Sequence, residues 1–109
     1  MKDKDEIIEH LQYIAEKVDI KIDRYIIFGS TANDTRTEDS DVDIIVISSE
    51  YADELVYNRT PRFLEEWNFD EFGSVDFMCL TDKEFNEKKE KKNSVYEKAN
   101  EEGIIVNIS

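Results

Sequence analysis

Residues 25–48 read Tyr-Ile-Ile-Phe-Gly-Ser-Thr-Ala-Asn-Asp-Thr-Arg-Thr-Glu-Asp-Ser-Asp-Val-Asp-Ile-Ile-Val-Ile-Ser, and the two apolar runs within them predict two strands. Tyr25–Phe28 ends at Gly29, the pattern of a strand that meets a tight turn. Val42–Ser48 is rich in β-branched residues and too apolar to be half exposed, so it predicts a central strand. The polar segment Asp34–Ser40 between them is predicted to be a loop.

Asp41 and Asp43 stand at the entry of the second strand. Residues two apart on a strand point to the same face, so these carboxylates should lie about 6–7 Å apart along it, with Val42 turned into the core. Two carboxylates on one rigid face suit a hard divalent cation, which prefers oxygen ligands. The other interpretation is that both are solvated turn residues in a chain rich in acids.

Gly29 and Ser30 add a predicted phosphate-binding turn. A glycine after a strand allows the backbone to approach a phosphate closely. Ser30–Asn33 is predicted to open a short helix whose free N–H groups, with the Ser30 hydroxyl, would hold phosphate oxygens. Ser30 would also serve as the N-cap, and the two roles are compatible. Arg36, in the loop before the aspartates, is a candidate for a phosphate contact.

Asp76 is the third candidate carboxylate. Ser74–Leu80 alternates so that Val75, Phe77 and Cys79 share one face, which predicts a third strand with Asp76 on the other face. A carboxylate buried in such a run needs compensation, because burying an unpaired charge costs several kcal/mol. A metal shared with Asp41 and Asp43 would supply it if the strands are neighbours. An exposed edge strand is the alternative.

The remaining pattern predicts helices that alternate with strands. We therefore expect an α/β (α+β) fold with a small mixed β-sheet, helices packed on it and the carboxylates on an open face. The other predicted elements are, in chain order, a helix from about Lys4 to Val18, a helix from Ser49 to about Trp67 that breaks near Pro61 with Thr60 as a cap, a helix from a capping box at Thr81–Glu84 to about Glu102, a stop at Gly103 and a strand over Ile104–Ile108.

The length and charge of the chain limit the classes of function. The 109 residues predict one domain spanning residues 1–109. The net charge of −13 disfavours long DNA or RNA as a partner, because phosphate neutralisation supplies most of that affinity. A nucleotide held through a cation, or a basic protein, remains compatible with this charge. The single cysteine excludes an internal disulfide, and the lack of a membrane span or signal pattern predicts a cytoplasmic protein.

These motifs together resemble a known family. Gly29-Ser30, ten residues and then Asp41-x-Asp43 is similar to the signature of the nucleotidyltransferase superfamily related to DNA polymerase beta, and Asp76 matches its later third aspartate. The short length resembles the minimal nucleotidyltransferase (MNT) group and its MntA-type antitoxin branch. The resemblance implies a nucleotidyltransferase fold and a metal-dependent transfer of a nucleotidyl group.

The resemblance also implies a role for each motif residue. Gly29 and Ser30 would hold the triphosphate, and Asp41 and Asp43 would ligate Mg²⁺ in the two-metal site that the resemblance implies. Asp76 would complete the metal site and act as the base on the incoming hydroxyl. Asn33 and Asp34 depart from the basic residue and glycine of many relatives. An acidic residue near the phosphates is expected to weaken nucleotide binding.

The substrate and partner follow from the same resemblance. It implies ATP as the nucleotide, with AMP transferred to a tyrosine hydroxyl of a HEPN-type ribonuclease toxin by an antitoxin protein. The alternative is a catalytically weak or inactive protein that neutralises a partner by masking it. Replacing Asp41 and Asp43 by Asn would separate the two, since only the enzyme needs both carboxylates.

Other conspicuous residues have simpler interpretations. Asp39, Asp41 and Asp43 with Glu50 imitate a calcium-binding EF-hand loop, but Ile44 stands where that loop requires glycine, so we reject this reading. The remaining residues are predicted to be structural: His10 on the surface of the first helix, Cys79 and Trp67 in the core, and Lys88–Lys92 on a solvated helix face.

Overall fold

A computed structural model describes residues 4–18, 20–29, 41–55 and 58–108 of the chain. Five helices and four strands lie within these ranges, together with a short 3₁₀ helix over Ser49–Asp53. In chain order they are α1 (Lys4–Lys17), β1 (Arg24–Phe28), β2 (Val42–Ile47), α2 (Pro61–Glu66), α3 (Phe69–Phe72), β3 (Val75–Leu80), α4 (Asp82–Lys89), α5 (Val95–Glu102) and β4 (Ile104–Asn107).

The four strands form one mixed sheet in the order β3-β2-β1-β4. β1 pairs antiparallel with both β2 and β4, whereas β2 and β3 are parallel. The predicted α/β fold with a small mixed sheet is confirmed, and β2 is an interior strand as its apolar sequence predicts. The N-terminal ends of β2 and β3 therefore meet the C-terminal end of β1 at one end of the sheet.

Helices pack on both faces of the sheet. Successive residues of each strand point to opposite faces, so each strand contributes side chains to both core layers. On the α1 face, Ile7, Leu11 and Ile14 of α1 join a core that includes Ile27, Ile44, Phe77 and the α2–α3 residues Phe63, Trp67 and Phe72. On the α5 face, Ile26, Ile45 and Leu80 pack with Phe85 of α4 and Ala99 of α5. Within the described ranges, no helix combines the length and apolar character needed to span a bilayer.

The predicted helix over Ser49–Trp67 is wrong in its first half. A 3₁₀ turn ends at Asp53, Glu54 is extended with ψ 136°, and the α-helix begins only at Pro61. Thr60 occupies the N-cap position but makes no side-chain capping bond. Its hydroxyl lies instead 3.8 Å from Cys79 Sγ, so a contact with β3 replaces the local cap.

The predicted helix from Thr81 to Glu102 is two helices. The capping box at Thr81 and the stop at Gly103 are confirmed, but the chain turns between α4 and α5 through Asn93, whose φ is 65°. Asparagine tolerates this left-handed conformation better than most residues. Ser94 then caps α5 by accepting from Glu97 N–H, a Ser-x-x-Glu signal that marks a second helix start.

The simpler residue predictions have mixed outcomes. Cys79 and Trp67 are buried, as predicted. Most of the Lys88–Lys92 run is exposed, but α4 ends at Lys89, so the run is a helix end and a turn rather than one helix face. The surface prediction for His10 is wrong, because its ring is half-buried against Trp67 and Phe72.

Candidate active site

Asp43 and Asp76 are brought together by the pairing of β2 with β3. The two strands are parallel, and Asp43 stands directly opposite Asp76 in their register. Neighbouring strands lie about 4.8 Å apart, and opposed residues point to the same face of the sheet. The two carboxylates therefore share one corner of the α5 face, as the metal-site prediction requires.

The pKa of Asp43 reflects its burial and the neighbouring carboxylates. Burial raises the pKa of its half-buried carboxyl, and the charges of Asp76 and then Asp41 raise it further. Asp41, which directly precedes β2, is exposed. A divalent cation among these side chains would reverse the local field, because it exchanges repulsion between carboxylates for attraction.

Asp76 is exposed, so the expectation that it is a buried, uncompensated carboxylate is wrong. β3 is an edge strand of the sheet. The next residue on the same face, Met78, packs against the core on the α5 face, and Asp76 lies two residues nearer the N-terminal end of the strand. Its exposure removes the folding penalty predicted from burial and leaves the carboxylate open to solvent and to a substrate.

Gly29 lies at the same corner of the sheet, in the turn that follows β1. The turn after β1 holds it at φ 74°, a conformation that favours glycine. A Cβ built on Gly29 would lie 2.7 Å from Asp43 Oδ2. Both the backbone angle and the contact with Asp43 therefore require glycine, and the predicted tight turn is confirmed at this position.

The carboxylates fit a divalent cation in their chemistry. Asp41, Asp43 and Asp76 supply hard oxygen ligands of the kind that Mg²⁺ prefers. In the described part of the chain, however, no group of three or more His, Cys, Asp or Glu side chains is gathered closely enough to hold a metal ion. Carboxylates repel each other when no cation lies between them. The sheet thus places the donors at one end, but their side chains do not converge on a single point.

Comparison with protein-family models identifies the family. The model of the nucleotidyltransferase domain matches residues 7–109, nearly the whole chain. The chain belongs to the nucleotidyltransferase domain family. It is accordingly a nucleotidyltransferase, which confirms the superfamily that Gly29-Ser30 and Asp41-x-Asp43 resemble.

A solved structure shows the same fold. A protein from Sulfolobus solfataricus, assigned as a nucleotidyltransferase, superposes with a TM-score of 0.55 at 23% sequence identity. The match covers 74% of this chain and 68% of that protein. A search of curated proteins finds no significant match.

Part of the predicted nucleotide site of this nucleotidyltransferase lies outside the described residues. Ser30 and Arg36, the predicted phosphate contacts, fall in the range 30–40, as do Asn33 and Asp34. The structure brings together Gly29 with the three aspartates at one end of the sheet. The predicted phosphate-binding role of Ser30 and Arg36 stays a prediction.

Arg59 is a supporting residue that the sequence analysis missed. It is only 3% exposed. Its guanidinium donates to the carbonyl oxygens of Cys79 (3.2 Å) and Tyr51 (2.7 Å) and to Glu84 Oε1 (2.7 Å). Since Cys79 lies in β3, Arg59 anchors the strand that carries Asp76. Long-range contacts set this role, and no local motif marks it.

Proposed function

We propose that this nucleotidyltransferase transfers AMP from ATP, with Mg²⁺, to a tyrosine hydroxyl of a partner protein. The partner we propose is a HEPN-type toxin, for which the chain acts as an antitoxin. The observation that carries the proposal is the register of β2 and β3, which sets Asp43 opposite Asp76 beside the Gly29 turn.

The residues take different parts in the proposed reaction. Asp41 and Asp43 would hold Mg²⁺, with Asp76 completing the set, and the metal would supply charge stabilisation to the attacking and leaving oxygens. The acceptor oxygen bonds to the α-phosphorus, the bond to the β-phosphate oxygen breaks, and pyrophosphate leaves. Asp76 accepts the proton of the hydroxyl, a role that suits its exposed position opposite Asp43.

The charge of the chain supports a protein acceptor. A net charge of −13 repels a polynucleotide and attracts a basic protein surface. A ribonuclease toxin must itself bind RNA, so a basic surface is expected on it. The same charge would speed the encounter between the two proteins at low salt.

A second candidate function has its own supporting observation. The net charge of −13 would itself hold a basic partner surface, so a protein that keeps the fold could neutralise its partner by contact alone. The two candidates differ in their need for the aspartates. Masking survives replacement of Asp41 and Asp43 by Asn, whereas catalysis does not.

The transfer is tested with ATP labelled at either the α- or the γ-phosphate. The wild type is incubated with Mg²⁺, each labelled ATP and an extract from the native host. The expected result is a protein that is labelled from α-labelled ATP only when the wild type is added and that is not labelled from γ-labelled ATP, because the kinases of the extract transfer only the γ label. Asp43→Asn should lower this labelling about a hundredfold or more.

The matched control is Asp5→Asn, in the exposed first turn of α1 on the other side of the sheet. It removes the same charge and should leave the labelling unchanged. Equal labelling by wild type and Asp43→Asn would contradict the catalytic proposal. If Asp43→Asn fails to label the target but still protects fully against the toxin, masking is favoured.

A further inference from the structure

A second candidate site lies on the α1 face, away from the carboxylate corner. An open cleft of about 630 Å³ is bounded by His10 and Tyr13 of α1 and by residues 66–70, where α2 joins α3. We call it the aromatic cleft. Its volume is in the range of ligand-binding clefts, and Gly29, Asp41, Asp43 and Asp76 are not among its lining residues.

The inner wall of the aromatic cleft is held rigidly. The His10 ring stacks on Tyr13 with centroids 5.8 Å apart and lies 5.5 Å from the Trp67 ring. The Asn68 N–H donates to His10 Nε2 at 3.2 Å, and the same nitrogen is 3.1 Å from the Glu66 carbonyl oxygen. The same nitrogen can form only one of these two hydrogen bonds in a given tautomer, and either one ties α1 to the α2–α3 joint on the inner side of the cleft.

The rim of the cleft exposes aromatic surface. Tyr13 is 46% exposed and Phe69 is 50% exposed. Neither ring is needed in the core on the α1 face, which Trp67 and Phe72 already fill from the same segment. Exposed aromatic surface next to polar groups is typical of interaction sites rather than of the general surface of a monomer.

The negative charges around the rim favour a positively charged ligand. Glu66 and Asp70 line the cleft, and no Lys or Arg is among its described lining residues. Tyr13 already attracts one cation of this chain, since Lys17 Nζ lies 5.4 Å from its ring centroid. Aromatic faces and carboxylates together favour guanidinium and ammonium groups through cation–π and ionic attraction.

We propose that the aromatic cleft docks an arginine-bearing segment of a partner protein. The guanidinium groups pair with Glu66 and Asp70 and stack on the exposed ring of Phe69. Arginine suits the cleft better than lysine, because its planar group both stacks on aromatic rings and pairs with carboxylates. The proposal deepens the proposed function, because it takes this partner to be the acceptor of the nucleotidyl group.

The test uses an acetylated hexa-arginine peptide as the probe. Binding is followed by NMR on the labelled protein, with the indole N–H of Trp67 and the amide of Phe69 as reporters. We expect both signals to shift, and we expect Tyr13→Ala/Phe69→Ala to weaken binding about tenfold. Unmoved reporters during binding would overturn the proposal.

Charge variants separate the cleft from diffuse attraction to an acidic protein. Glu66→Gln/Asp70→Asn should weaken peptide binding about tenfold. Glu87→Gln/Glu101→Gln removes two exposed charges from α4 and α5 and should change it less than about twofold. Equal weakening by the two double variants would overturn the proposal. The charge variants keep both rings, so they test the cleft even if the alanine variants fold poorly.

Binding of Mg²⁺-ATP distinguishes this proposal from the proposed function. The cleft variants should bind Mg²⁺-ATP like the wild type, because the cleft and the carboxylates lie on opposite faces of the sheet. Loss of nucleotide binding in the cleft variants would contradict a separate docking role. A wild type that binds the peptide at the cleft but not Mg²⁺-ATP would contradict only the transferase proposal.

Discussion

Single residues at the end of the sheet show how closely the candidate site is packed. A Cβ on Gly29 would meet Asp43 Oδ2, so the carboxylate on β2 leaves room only for glycine in the turn after β1. Asp43 and Asp76 are opposed in register. A substitution at one of these residues should therefore displace the others and alter both the stability and the activity of the protein.

Gly29→Ala should destabilise the protein and displace Asp43. The strain of a left-handed alanine costs about 1–2 kcal/mol, and the new Cβ would meet Asp43 Oδ2. We expect urea unfolding to show at least this loss and nucleotidyl transfer to fall with it. Gly73→Ala is the control. Its φ is also positive, at 77°, so it should lose stability in the same way, but its added methyl lies at the turn before β3 rather than against Asp43, so transfer should fall less. Unchanged transfer in Gly29→Ala would contradict the role of this contact.

The raised pKa of Asp43 predicts a pH dependence of stability. A carboxyl whose pKa is higher in the folded than in the unfolded state favours folding at low pH, and this contribution is lost as pH rises through the folded value. Asp43→Asn should therefore gain stability relative to wild type as pH rises above about 4, the ordinary pKa of an aspartate. Urea unfolding on both sides of this pH checks the sign, with Asp5→Asn as the control. A gain that shrinks with rising pH would contradict it.

At the scale of elements, the position of β3 depends on one buried side chain. Arg59 bonds to β3 through the carbonyl of Cys79 and to α4 through Glu84. It also bonds to the end of the 3₁₀ segment through the carbonyls of Tyr51 and Glu54. The Arg59 guanidinium thus links three elements, one of which is β3, the strand that carries Asp76.

Arg59→Met should lower the free energy of unfolding by about 3 kcal/mol, because it removes the hydrogen bonds of a buried guanidinium and leaves Glu84 without its ion partner. Arg62→Met is the control. Arg62 pairs with Glu54 where both side chains are partly exposed, so the expected loss is about 1 kcal/mol or less. Equal losses in the two variants would contradict the role of Arg59 as the anchor.

The same change should alter the acid limb of the stability curve. Burial tends to raise the pKa of Glu84, but its hydrogen bonds with Arg59 and Thr81 and the Arg59 charge lower it overall. A lowered carboxyl pKa gives stability that is present above the unfolded value and lost as pH falls through the folded one. Arg59→Met should therefore lose less stability than wild type below about pH 4.5. A steeper acid loss in the variant would contradict this linkage.

The elements that the sequence predicts best are those with a local cause. Periodicity marks α1, a β-branched run marks β2, alternation marks β3, and the capping box marks α4. The predictions fail where distant contacts decide. Thr60 turns to Cys79 instead of capping α2. The pairing of Asp43 with Asp76, and the exposure of Asp76, follow from strand order, which no local pattern contains.

At the scale of the whole molecule, charge separates proteins from nucleic acids as partners. The net charge of −13 predicts that a short single-stranded RNA binds more weakly than about 10⁻⁴ M at physiological salt. Fluorescence anisotropy with a labelled RNA checks this, and hexa-arginine at the same salt is the positive control. Tight RNA binding would contradict the preference for a protein acceptor.

The most direct test of the central claim is calorimetry of ATP binding with and without Mg²⁺. The wild type is compared with Asp41→Asn/Asp43→Asn, both confirmed to be folded. We predict binding by the wild type that requires Mg²⁺ and is lost in the double variant. No binding by the folded wild type at millimolar ATP, or equal binding by both proteins, would contradict a metal-dependent nucleotide site at these carboxylates.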